Sequence, residues 1–242
     1  MTKEYDQITA FHYSAFRPAL HLPILEECLT EKEEYELGLD VGCGTGQSAI
    51  ALANYCKKVI GIDPSKEMLE QSIPHSRVSY RHFDGHDFDF QEGLFDIITF
   101  AGVLHYAKSQ RLFAEVVRVS KDSTRIVVYD FELLLDTLLE KLGLDTTLKP
   151  PSNYDHEANF DGLGQKEVKV EKKMNKRVSL KISIENIGHL LLSSKDNYSL
   201  LVGALGRDNI YSRITRQLNL KFKSESIVME ASTYSTVYLV VK

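Results

Sequence analysis

Three glycines stand at alternate positions, 42, 44 and 46, in the stretch LGLDVGCGTGQSAIALA, which passes from strand-like to helix-friendly residues. Glycine at that density excludes side chains and lets a backbone come close to something. Phosphate is one candidate. The triphosphate-binding loop, however, needs a Lys after its last glycine, and Gln47 follows Gly46. The dinucleotide fingerprint needs G-x-G-x-x-G. Gly42 and Gly44 fit it, but Gln47 occupies the third glycine position and the glycine falls one residue early. That register suits a loop passing over a flat nucleoside or an amino-acid tail better than one closing on a pyrophosphate. Asp40 agrees with this. An acid there repels a pyrophosphate, yet it can accept hydrogen bonds from the loop or, directly or through water, from an ammonium group.

Further carboxylates follow at the ends of the next apolar runs. Asp63 closes "VIGID", 17 positions after Gly46, where an acid can accept both hydroxyls of a ribose. Its position before Pro64 also suits a helix N-cap, and the two roles are compatible. Met68 then offers an apolar surface beside a base. Asp84, in "RHFDGHDFDF", is placed to accept an exocyclic adenine amine. His82, Asp84 and His86 share a metal-ligand spacing, but the segment ends in a turn with no clear supporting ligand, so no metal is expected.

These residues need a scaffold of strand ends. Between residues 36 and 130 the runs "ELGLDV", "KVIGID", "RVSYRHF", "FDIITFAG" and "TRIVVYDF" alternate with helical patterns at Gln47–Tyr55, Lys66–Ser72 and Ser109–Val119. Five such runs in order predict a parallel sheet with helices on both faces. "ELLLDTLLEKLG" reads as an amphipathic helix, 149–165 as loop, and Ser183–Leu192 and Asp196–Leu218 as helices. "SESIVMEAS" and "TYSTVYLVVK" read as two strands of a closing antiparallel hairpin.

Composition narrows the classes. With 242 residues, 43% hydrophobic, the chain can bury a substantial core. Its net charge of −5 argues against a general nucleic-acid binder; the basic stretch Lys166–Arg177 is interrupted by acids and reads as a solvated strand or loop. Cys28, Cys43 and Cys56 share no C-x-x-C spacing, which disfavours a disulfide framework or structural zinc. MTKEYDQITA lacks the apolar core of a signal peptide, and no run reaches a membrane span of about 18 apolar residues. The expectation is a cytoplasmic protein with no membrane or nucleic-acid partner, as monomer or homodimer.

"LDVGCGTG", "VIGIDPSKEML", "HFDGHD", "FDIITFAGVLHY" and "RIVVYDF" together resemble the successive motifs of class I S-adenosylmethionine-dependent methyltransferases, over about residues 5–131. "FHYSAFRPALHLPIL" resembles the opening helix of the small-molecule branch that includes trans-aconitate methyltransferase, and "ISIENIGHLLLSSKDNYSLL" resembles that branch's helical cap more weakly. One departure is "VSKDSTRIVV", where many relatives carry Leu-Lys-Pro-Gly-Gly. The resemblance implies a Rossmann-like α/β fold with a seven-stranded, mostly parallel sheet and an antiparallel C-terminal hairpin. It implies one domain, with core 1–130 and 219–242 and an inserted cap at 131–218. It implies S-adenosyl-L-methionine bound by Tyr13, Arg17, Asp40, Gly42, Gly44, Gly46, Asp63, Met68, Asp84, Gly85 and Ala101. A small-molecule methyl acceptor, modified at a carboxylate or hydroxyl oxygen, would be the partner. A nicotinamide-dependent oxidoreductase and a non-catalytic cofactor-binding module stay open as other classes. His105, after the fourth run, is the candidate catalytic residue; acceptor-site base, substrate contact and structural histidine all remain open for it, and Tyr106 shares the ambiguity. "FAGVLHY" lacks the Asn/Asp-Pro-Pro-Tyr sequence of many amide- and base-nitrogen methyltransferases.

Overall fold

A computed structural model describes residues 7–29, 34–85, 87–150, 152–163 and 166–242. The five expected runs are strands β1 (Tyr35–Val41), β2 (Cys56–Asp63), β3 (Val78–His82), β4 (Phe95–Ala101) and β5 (Ser120–Leu133). The pairings among these five are parallel, and the register sets Asp40 between Gly61 of β2 and Thr99 of β4. Two more strands, β6 (Val168–Ser183) and β7 (Ser226–Val240), complete a seven-stranded sheet in the order β3-β2-β1-β4-β5-β7-β6.

The C-terminal hairpin is antiparallel, but it is built by β6 and β7. Val241 N–H donates to Glu167 O at one end, while Thr233 lies against Lys176 O further along. Index sums that stay nearly constant mark an antiparallel pair. The two runs expected to face each other at 224–241 are instead one continuous strand. No turn residue separates them, whereas the solvated stretch at Lys166–Arg177 supplies the partner. One face of β6 stays wet, so its apolar residues are too sparse to announce it.

The helices are α1 (Gln7–Ala15), α2 (His21–Cys28), α3 (Gln47–Leu52), α4 (Lys66–Glu70), α5 (Leu104–Ala107), α6 (Gln110–Val119), α7 (Asp136–Lys141), α8 (Ile184–Leu192), α9 (Lys195–Leu205) and α10 (Ile210–Phe222). Helix α6 buries Leu112, Phe113, Val116 and Val119, the i, i+4, i+7 stripe of one face, and Ser109 caps it by accepting from Leu112 N–H at 3.2 Å. The expected helix at 132–143 shrinks to α7, because β5 runs on to Leu133. The expected helix at 196–218 breaks in two. Gly206 ends α9 with φ of 79°, and Asn209 opens α10 in the left-handed region.

The chain divides into two compact units: Ala19–Phe131 with Tyr154–Lys176 and Thr233–Lys242, and Met1–Pro18 with Glu132–Asn153 and Arg177–Ser232. In the first, Leu39, Val41, Ile62, Ile98, Phe100 and Val128 of the sheet pack with α6, Phe160 and Tyr238. In the second, Leu138, Leu139, Ile187, Leu191, Ile214 and Leu218 make a separate core. The region expected as an inserted cap is thus shared, with 154–176 falling in the sheet unit.

Candidate active site

The glycine loop follows β1 and is held against β2, with Gly42 and Cys43 N–H donating to Ile62 O at 2.8 and 3.0 Å. All three glycines have positive φ, at 74°, 53° and 94°. Their surroundings differ. A Cβ on Gly42 would lie 2.4 Å from a methyl of Val103, and one on Gly46 would lie 2.0 Å from the Tyr80 hydroxyl. Two of the glycines therefore make room for the protein's own side chains. A Cβ on Gly44 would meet only the Met68 Cε, at 3.4 Å.

Gly44 N–H donates to Asp63 Oδ2 at 2.8 Å, and Ser65 N–H donates to Oδ1 at 2.8 Å. Asp63 is buried at 8% exposure at the tip of β2. Each of its oxygens accepts one backbone bond and retains room for a second. Asp63 is not the helix cap. Ser65 caps α4 by accepting from Met68 N–H at 3.2 Å, because Pro64 falls two residues before the helix instead of in its first turn. Gly44, Asp63 and Met68 thus form one ledge.

Asp40 is built differently. It is fully buried, with Oδ2 accepting from Ser48 Oγ at 2.5 Å and Oδ1 from Thr99 Oγ1 at 2.7 Å. Burial outweighs these two hydrogen bonds and pushes its carboxyl up to about 6. Both oxygens face inward to α3 and β4, so Asp40 braces the loop from beneath.

Beyond β3, Asp84 and Gly85 are exposed, and Gly85 has φ of 90° with open space around its Cα. His86 lies outside the described residues. Among the described residues no group of three or more potential ligands is placed to hold a metal. Ala101 ends β4, and Gly102 turns the chain with φ of 66° toward α5. In the second unit, the Arg17 guanidinium sits 4.4 Å from the Tyr13 ring centroid, a cation–π contact just past α1.

His105 lies on α5, half-buried, with its Nδ1 accepting from Asp155 N–H at 3.0 Å and its ring 4.5 Å from that of Tyr154. The loop at 154–156 also delivers two groups to the end of β5. Tyr154 Oη is 2.9 Å from both Gly102 O and Asp130 Oδ2, and His156 Nδ1 is 2.9 Å from Asp130 Oδ2. Asp130, Tyr154 and His156 were not legible as a site in the sequence. Asp130 reads there as a strand residue and the other two as loop; only docking of the loop brings them together.

Residues 39–128 match the family model described as "Methyltransferase domain". That segment is similar to methyltransferase domains. The matched segment contains the glycine loop, the ledge and Asp84. A Dictyostelium discoideum protein that carries the methyltransferase name provisionally is 30% identical over 125 residues, covering 50% of this chain and 47% of that protein. The O-methyltransferase resE of Aspergillus sclerotiorum is 27% identical over 154 residues, covering 52% of this chain and 58% of resE. The chain spans about half the length of the curated relatives it matches. A solved chain from Anaeromyxobacter dehalogenans, described provisionally as a type II methyltransferase, superimposes with a TM-score of 0.66 at 18% identity. It covers 93% of this chain and 98% of its own. At that identity the likeness is one of fold. No helix among the described residues is long and apolar enough to cross a membrane.

The ledge fits S-adenosyl-L-methionine, the cofactor that the family likeness implies. A carboxylate with spare acceptor capacity suits a ribose diol, Met68 supplies an apolar face, and neither needs an anion-binding backbone. When bound, S-adenosyl-L-methionine supplies an electrophilic methyl on a sulfonium. Gly44 and Ser65 N–H hold the Asp63 carboxylate in place on this ledge.

Proposed function

We propose that this chain is an S-adenosylmethionine-dependent methyltransferase that modifies a small molecule at an oxygen. The ledge of Gly44, Asp63 and Met68 carries this reading, because its chemistry matches a nucleoside without a pyrophosphate. The relatives resE and cnsE, both named O-methyltransferases, support oxygen as the acceptor atom. The net charge of −5 supports a small acceptor over a nucleic acid. On the resemblance alone, Tyr13 and Arg17 join the cofactor set and the chain is placed beside the trans-aconitate branch.

Proximity and orientation alone can contribute roughly 7–11 kcal/mol to such a transfer. Calorimetry tests the reading: S-adenosylmethionine and S-adenosylhomocysteine should bind and NAD should not, and NAD binding in preference to both overturns it. A metabolite panel read by product mass then tests turnover, and binding without any turnover supports a non-catalytic module instead.

A further inference from the structure

The segment that leaves the ledge comes back to it. From Asp63 the chain passes through α4, which carries Met68, and continues to Ile73, whose N–H donates to Thr45 O of the glycine loop at 2.9 Å. Ile73 O in turn accepts from Tyr80 Oη of β3 at 2.8 Å. The Tyr80 hydroxyl also fills the space beside Gly46, where a Cβ would lie 2.0 Å from it, and its ring would lie 3.1 Å from a Cβ on Gly61. One side chain therefore meets both the start of α3 at Gly46 and the point of return at Ile73.

We propose that Tyr80 is a positioning residue for the cofactor ledge, its hydroxyl locking the far end of the 63–73 segment onto the glycine loop. This rests on the methyltransferase reading above. The near end of the segment is held where Gly44 N–H meets the Asp63 carboxylate. At the far end, the bond to Thr45 fixes the peptide plane before Ile73, and Tyr80 Oη fixes the plane after it. Pro74 follows and biases Ile73 to extended backbone, so its carbonyl leaves the helical direction of α4. Tyr80 has no core to fill instead. Its strand β3 is an edge of the sheet and buries none of its side chains. Burial, with Cys43 and Asp40 nearby, pushes the Tyr80 hydroxyl up to about 12, so it stays a donor at neutral pH.

A ledge that is open part of the time binds its ligand more weakly, in proportion to the closed fraction. Cys43, between Gly42 and Gly44, reports that fraction without any ligand. It is 4% exposed and its Sγ lies against Gly61, so a thiol reagent reaches it only when the loop opens. Burial, then the carboxylates of Asp40 and Asp63, also push this thiol far up. Cys56 is the internal control. It is 1% exposed at the opposite end of β2, with its Sγ against Gly38, and it reports opening of the strands themselves.

The test labels the full chain with a thiol reagent and reads each cysteine by mass spectrometry. Tyr80→Phe keeps the ring and removes only the hydroxyl. In that variant Cys43 should label about 3- to 10-fold faster while Cys56 is unchanged. Calorimetry should show the dissociation constant of S-adenosylhomocysteine raised by about the same factor. Wild-type labelling at Cys43, equal acceleration at Cys43 and Cys56, or an unchanged dissociation constant overturns the proposal. Equal acceleration in particular would make the hydroxyl a support of the sheet as a whole. A wild-type chain that binds neither S-adenosylmethionine nor its product contradicts the methyltransferase reading, whereas the labelling ratio tests the Tyr80 lock by itself.

Discussion

Asp40 and Asp63 are two acids of one motif set that the fold places in different surroundings. Both were visible in the sequence as carboxylates near a glycine loop, but burial separates them, and burial is a tertiary property. Asp40 has its folded value raised to about 6, above the ordinary carboxylate range. The sign follows directly. The folded state holds this proton more tightly than the unfolded chain, so its contribution to stability is greatest below the unfolded value and falls as pH rises toward 6. Asp40→Asn should remove that dependence. The unfolding free energy of the wild type relative to the variant should rise by on the order of 2 kcal/mol as pH falls from 6 to 4, read by denaturant titration at each pH. A flat difference would show Asp40 ionised throughout. The glycines divide in the same way. Gly46→Ala meets both a left-handed φ and the Tyr80 hydroxyl, and should cost roughly 2–5 kcal/mol of stability. Gly44→Ala meets only a flexible methionine tip, so its loss should appear mainly as weakened cofactor binding in calorimetry. Nothing in the sequence distinguished these glycines, because the atoms that crowd two of them come from 34 to 61 residues away.

At the scale of elements, the parallel strands and α6 were legible because each buries a repeating stripe. The splits were not. Helices α9 and α10 part at Gly206 and Asn209, where the apolar period continues across the break and only the backbone turns. Between α1 and α8 lies a pair no periodicity announces: His12 Nδ1 and His189 Nδ1 are 2.9 Å apart, and Tyr211 of α10 stacks on His12 at 5.7 Å. Burial lowers the folded pKa of both, and His189 lowers that of His12 further. A lowered histidine favours the neutral ring, so the stability it lends is present above the unfolded value near 6.5 and is lost as pH falls below it. Thermal unfolding should therefore show a midpoint dropping below pH 6.5, and His189→Gln should blunt that drop. An unchanged slope in the variant would place the acid sensitivity elsewhere.

Across the whole sheet unit, the two ends of the parallel strands are chemically unlike. The amino ends are closed by ion pairs, with Lys57 on Glu36 and Lys121 on Asp96, and Asp96 also accepts from Leu37 N–H at 2.9 Å. The carboxyl ends carry the positive-φ glycines 42, 44, 46, 85 and 102, together with Asp63, Asp84 and Asp130. Open α/β sheets bind ligands at those carboxyl ends, and here the polarity was readable from the sequence, since each acid or glycine follows an apolar run. The amino-end pairs were not readable, because they join residues of different strands. Saturating S-adenosylhomocysteine should slow amide exchange at 42–46, 63–68, 83–85 and 101–105, and leave 35–37, 56–58 and 95–97 unchanged. Lys121→Met removes an amino-end pair and should move stability by about 1 kcal/mol or less, with no effect on the affinity for S-adenosylhomocysteine. Protection centred on the amino ends, or a large affinity loss in Lys121→Met, would place the ligand at the wrong end of the sheet for this chemistry. The exchange pattern separates the two ends because each parallel strand contributes one terminus to each.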